Sequence, residues 1–78
     1  MPRFFLHIRE AEQLVEDPDG SLLPDLDAAR AEAAAAAREI AAERLRAGKG
    51  LDARRFEIRD EAGRLLATVP FPEVPGPP

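Results

Sequence analysis

Apolar and polar positions alternate at the start of the chain. Over residues 3–9, Phe4, Leu6 and Ile8 fall on one side of an extended strand and Phe5, His7 and Arg9 on the other. The first set is uniformly apolar and is expected to face the core. Phe5 is then left as an aromatic ring on the opposite side. Ala11-Glu12 reads as a turn, and Leu14 and Val15 mark a short second strand over residues 13–16, so the pair forms a hairpin. Asp17-Pro18-Asp19-Gly20 is a further turn. Pro18 presets its backbone, Asp19 can accept from local amides, and Gly20 admits a left-handed conformation. Ser21-Leu22-Leu23 follows, tucking apolar side chains under the next element, and Pro24 limits any strand there.

The period then changes. Leu26, Ala29, Ala33, Ala37, Ile40 and Ala41 recur at helical spacing, with Leu45 at the margin and Glu32, Glu39, Glu43 and Arg46 opposite. Asp25 is the expected N-cap, and Asp27 lies in the first turn, where the helix dipole favours a carboxylate. Gly48 and Gly50 end the helix. Arg44 falls on the apolar stripe near that end, where its stem can pack while its charge reaches water. The stripe is narrow and mostly alanine, so the helix can approach a sheet closely.

Alternation returns after the helix. A third strand is expected over residues 51–60, with Phe56 and Ile58 inward and Arg55, Glu57 and Arg59 outward. Asp60-Glu61-Ala62-Gly63 is a hairpin turn with Gly63 placed for a left-handed bulge. Residues 64–71 read as a fourth strand. Leu65, Ala67, Val69 and Phe71 share one face and Leu66 and Thr68 the other, while Pro70 marks an edge or an end. The pattern predicts an α+β fold in ββαββ order, its single helix packed on one face of a small, mainly antiparallel sheet. Residues 1–71 make up the domain and residues 72–78 a flexible, proline-rich tail. Pro72-Glu73-Val74-Pro75 has the P-x-x-P spacing without a flanking base and reads as part of that tail.

Composition narrows the function. The 78 residues allow one domain with a thin core. There is no cysteine, so neither a disulfide framework nor a thiolate zinc site can form, and a cytoplasmic location is expected. No signal peptide or membrane span is expected from the short apolar runs. The net charge of −4 opposes a general nucleic-acid binder, which needs a basic surface. The charge is uneven, however. Residues 10–32 hold eight acids and one base, whereas residues 44–64 hold seven bases and four acids, a polarity that can steer a partner or a second copy.

Candidate chemistry is sparse. His7 is the only histidine, and no second ligand at helical spacing accompanies it. Asp17-x-Asp19-Gly20 lacks the later acids of a calcium loop. There is no nucleophile elbow, phosphate-cradling loop or dinucleotide fingerprint. The expectation is therefore a non-enzyme with no catalytic residue, cofactor, metal or small-molecule substrate. Two surfaces remain. Phe5, His7, Leu66 and Thr68 form a candidate interaction surface on the sheet face turned away from the helix. Arg54, Arg55, Arg59 and Arg64 form a candidate basic patch.

Three blocks of residues also resemble a known family. They are Pro2-Arg3-Phe4-Phe5-x-His7-x-Arg9, then Asp19-Gly20 with Leu23-Pro24-Asp25-Leu26-x-Ala28-Ala29-Arg30-x-Glu32-Ala33, then Phe56-Glu57-Ile58-x-Asp60-Glu61-x-Gly63-Arg64 with Val69-Pro70-Phe71. Together they resemble a family of short bacterial proteins, a domain of unknown function found mainly in soil- and plant-associated bacteria. Phe4 stands where that family more often has tyrosine, and Leu6 where it often has phenylalanine. The resemblance spans residues 2–71 and implies an uncharacterised small protein. It carries over no site residue. In layout alone the chain is also similar to HicB-like antitoxin domains, which place a hairpin and an acidic glycine turn before an alanine-bearing helix. The expected function is a protein–protein interaction or regulatory module, with a protein partner or a homodimer. The alternative is an antitoxin-like nucleic-acid regulator that uses the basic segment from Arg44 to Arg64.

Overall fold

A computed structural model describes residues 1–49 and 54–72. It contains strands β1 (Arg3–Glu10), β2 (Gln13–Val15) and β3 (Ser21–Leu22), helix α1 (Leu26–Arg46), and strands β4 (Arg54–Arg59) and β5 (Leu65–Pro70). The expected start of the third strand before Arg54, Gly50 and residues 73–78 of the expected tail lie outside the described residues.

The strands form one antiparallel sheet in the order β2-β1-β4-β5, and β3 pairs with the same outer edge of β1 as β2 does. β1 and β4 are the central pair, antiparallel from Phe5 opposite Arg59 to Glu10 opposite Arg54. Because β3 and β4 both run opposite to β1, they are parallel to each other. The connection between them must therefore cross the sheet, and α1 makes that crossing. The ββαββ order thus holds with one addition. Ser21 and Leu22 do pair with β1, because Pro24 falls beyond the two paired residues.

The helix starts and stops where the sequence places it. The Asp25 carboxylate accepts from the Ala28 amide at 2.8 Å, satisfying one of the donors that every helix start leaves unpaired. At the other end Gly48 has φ +75°, its N–H donates to Leu45 at 3.0 Å, and the Lys49 N–H donates to Arg44 at 2.9 Å. These are the two bonds of a Schellman stop, which needs a residue at ease with positive φ.

The core lies between α1 and one sheet face. Ala29, Ala33, Ala37 and Ala41 are the buried helix residues, and the sheet answers them with Phe4, Phe56 and Ile58, joined by Phe71 beyond β5. The Phe56 and Phe71 rings meet at 5.1 Å with a 32° tilt, a favourable offset geometry. Small residues on the helix bring its backbone near the sheet, and rings on the sheet fill the space left. Leu6, Ile8, Leu23, Leu26, Ile40, Ala67 and Val69 border this cluster.

One expected face assignment is reversed. The register steps from Ile58 opposite Ala67 to Arg59 opposite Leu65, so β5 carries an extra residue at that point. This bulge breaks the two-residue alternation. Leu66 turns toward the core cluster, and Leu65, expected inside, is 46 % exposed opposite Arg59. The preceding hairpin turn forms as predicted. Gly63 has φ +83°, and the Asp60 carboxylate accepts from the Ala62 and Arg64 amides at 3.0 and 2.9 Å.

Candidate functional site: the open face of the sheet

Alternate residues of β1, β4 and β5 point away from α1, and among the described residues no other element covers them. The registers place Phe5, Arg59 and Leu65 in one row, His7, Glu57 and Thr68 in the next, and Arg9, Arg55 and Pro70 in a third. Leu14 extends the third row from β2. Glu57 is the centre of this lattice.

Glu57 is only 4 % exposed, the one buried charged residue among those described. Its shielding comes from arginines folded over it. Oε2 accepts from Arg9 Nε at 2.8 Å, Oε1 accepts from Arg59 at 2.8 Å, and Arg9 adds a longer contact at 3.4 Å. The Arg55 guanidinium lies 3.6 Å from Oε2. Hydrogen bonds from Arg9 and then Arg59 hold the Glu57 carboxyl down at about 2, well below the ordinary 4.5, against the opposing effect of desolvation. The same bond to Glu57 raises the Arg9 guanidinium. Three guanidinium groups thus share one carboxylate, so the cluster carries a net charge of about +2 on the open face. Arg55, with nearly half of its side chain exposed, is the outermost of the three.

The neighbouring row is organised by Asp17. His7 stacks on Phe5 with centroids 6.0 Å apart and planes 18° from parallel. Its Nδ1 accepts from the Asp17 N–H at 2.9 Å. The Asp17 carboxylate accepts from Leu6 at 3.2 Å, Asp19 at 3.3 Å and Gly20 at 3.2 Å. Residues 17–20 are therefore a clamp on the outer edge of β1. Gly20, at φ +69°, lies so near that edge that an added Cβ would come within 2.9 Å of Arg3 Cγ and Phe5 Cε1.

The expected interaction surface is thus brought together in part. Phe5, His7 and Thr68 share the open face, whereas Leu66 leaves it and Leu65 stands there instead. The expected basic patch is divided. Arg54 lies on the helix side of the sheet, opposite Glu10 and ion-paired with it. Arg55 and Arg59 lie on the open face with Glu57. Arg64 is exposed in the turn that precedes β5. Arg9 and Glu57, the strongest pair on this face, were not singled out by pattern. Forty-eight positions separate them, and only the β1–β4 register joins them.

No three His, Asp or Glu side chains among the described residues converge as a metal site requires. An open depression of about 510 Å³ lies at the end of α1, lined by Ile40, Glu43, Arg44, Arg46, Lys49 and Arg54 among others, and His7 is not part of it. No described helix is long and apolar enough to cross a membrane.

No curated protein and no solved structure matches the chain. Residues 3–72 do match a family, and its description adds nothing to the chemistry above: the chain belongs to the family of the domain of unknown function DUF6894.

Proposed function

We propose that this protein is a small protein–protein interaction module that binds an acidic segment of a partner on the open face of its sheet. One observation carries the reading: three arginines converge there on a single carboxylate. Glu57 orders Arg9, Arg55 and Arg59 without neutralising them; Arg9 and Arg59 also donate to the Glu12 and Gly63 carbonyls, so Arg55, the most exposed, is the one that presents donors to a second carboxylate. Preorganised guanidinium groups lose little freedom on binding. Phe5 and Leu65 on one side and Leu14 on the other offer apolar contact beside the charges. A central charged group with an aromatic neighbour suits peptide recognition, because complementarity sets the partner while apolar contact adds affinity. The net charge of −4 weighs against the nucleic-acid alternative.

The test is a titration of a fluorescein-labelled peptide of alternating Glu and Leu, followed by anisotropy at low and at physiological salt. Saturable binding that weakens with salt is expected. Arg55→Glu should weaken it at least about tenfold, since the substitution reverses the most accessible charge. Arg64→Glu, in the turn, should have a much smaller effect. Equal losses from both substitutions, or no saturable binding at low salt, would sink the proposal. A single-stranded DNA oligomer retained more tightly than the peptide would also overturn it.

A further inference from the structure

The sheet ends in two short strands, β2 and β3, on the β1 side and in the six-residue β5 on the other. The outer edge of β1 is covered along most of its length. β2 pairs with its last three residues, β3 with its first two, and the Asp17 carboxylate takes the Leu6 N–H between them. The outer edge of β5 has no partner among the described residues. It also lacks the charged side chains that commonly keep an edge strand from pairing, since Leu65–Pro70 reads LLATVP.

The direction of the free backbone groups follows from one bond. The Phe71 N–H donates to the Arg54 carbonyl at 3.0 Å, so the pair formed by these two residues bonds inward, toward β4. Antiparallel pairs alternate, and the next pair, Pro70 opposite Arg55, is therefore not bonded to β4. The Thr68–Glu57 pair has the same parity. The N–H and C=O of Thr68 thus point out of the sheet. Pro70 points out as well, but it offers only a carbonyl, which limits how far a strand could pair beyond Thr68.

We infer that β5 is a dimerisation edge that pairs antiparallel with β5 of a second copy of this chain, about a twofold axis at Thr68. Each Thr68 N–H donates to the Thr68 carbonyl across the axis, and the two sheets become continuous. The occupant is a second copy because the twofold sets Thr68 opposite itself, Val69 opposite Ala67 and Pro70 opposite Leu66, so only uncharged residues meet. A charged strand would repel itself, and β5 has no charge to repel. Thr68 against Thr68 is a favourable cross-strand pair. A chain of this size also gains from burying more surface than its own core allows. The inference rests on the edge alone and not on the acidic-partner reading of the open face.

The test uses the side chain of Thr68, which is exposed and outside the core. Mass is measured by light scattering on the full chain over a range of concentrations, with folding checked by circular dichroism. The wild type should be dimeric at high concentration. Thr68→Lys and Thr68→Glu should each be folded monomers at the same concentration, and an equimolar mixture should recover a dimer. Amide exchange of the unmodified protein serves as a second readout, free of any substitution: the Thr68 N–H should gain protection as concentration rises. A wild type that stays monomeric with a concentration-independent Thr68 amide overturns the inference. So does a dimer indifferent to Thr68→Lys, or a mixture that stays monomeric while its components are folded.

Discussion

At its centre, strand β4 is equally buried on both of its sides, by opposite means. Toward α1, Phe56 is 5 % exposed among rings and alanines, and away from α1, Glu57 is 4 % exposed beneath arginines. On the first side, water is excluded by a second layer of structure. On the second it is excluded by long side chains lying on the sheet, with their charges still near solvent. The covered face gains from apolar area and shape, and tolerates little change in volume. The open face gains only the surplus of hydrogen bonds over desolvation, which is small. A face held this way adds less to the stability of the fold than the covered one.

The comparison can be broken most directly from the covered side. Ala33 has no exposed surface, so Ala33→Leu should force α1 off the sheet and cost about 3 kcal/mol in urea unfolding. On the open side, Glu57→Gln removes the shared carboxylate while keeping its shape. Three cations then face one another, and the expected loss is about 2 kcal/mol, smaller because the cluster borders solvent. If Glu57→Gln proved as costly as Ala33→Leu, the open face would be a core in its own right.

A pH series sharpens the same contrast. The Glu57 carboxyl titrates at about 2 in the fold against an ordinary 4.5. Its contribution is therefore complete above about pH 4.5 and is lost as pH falls from there toward 2. Other carboxylates titrate in that window too, so the quantity to measure is the wild type minus Glu57→Gln. That difference should shrink by up to about 2 kcal/mol across the window, after allowing for screening by water at the rim. A flat difference would mean that the arginines do not hold the carboxylate in solution. The smallest effect should come from a site on neither face. Ala11, in the turn between β1 and β2, has φ +53°, a left-handed conformation that costs alanine strain. Ala11→Gly should relieve it and raise stability by about 1 kcal/mol, leaving peptide binding unchanged.

Much of this was legible without the fold. Asp25 and Gly48 bracket a helical period, and local chemistry alone accounts for both ends. Phe4, Leu6 and Ile8 show their common face by alternation, as do Phe56 and Ile58. Asp60 and Gly63 announce their turn. Each signal lies within a few residues, so each can be read from neighbours. The candidate site was legible only in pieces. Phe5, His7 and Thr68 could be assigned to one side of their strands. Leu66 could not, because a bulge of one residue in β5 reverses the alternation and leaves no clear mark in composition.

The sequence by itself determined four of the five strands and the helix, and which side of the helix is apolar. These follow from backbone preferences and the periods of 2 and 3.6 residues. Only the tertiary structure decided that β1 lies beside β4, that Arg9 thereby reaches Glu57, and that β2, β3 and the Asp17 turn cover the outer side of β1 while β5 has no partner among the described residues. Those outcomes depend on register between segments tens of residues apart. Register is set by how whole faces bury together, a property that no local stretch of the chain contains.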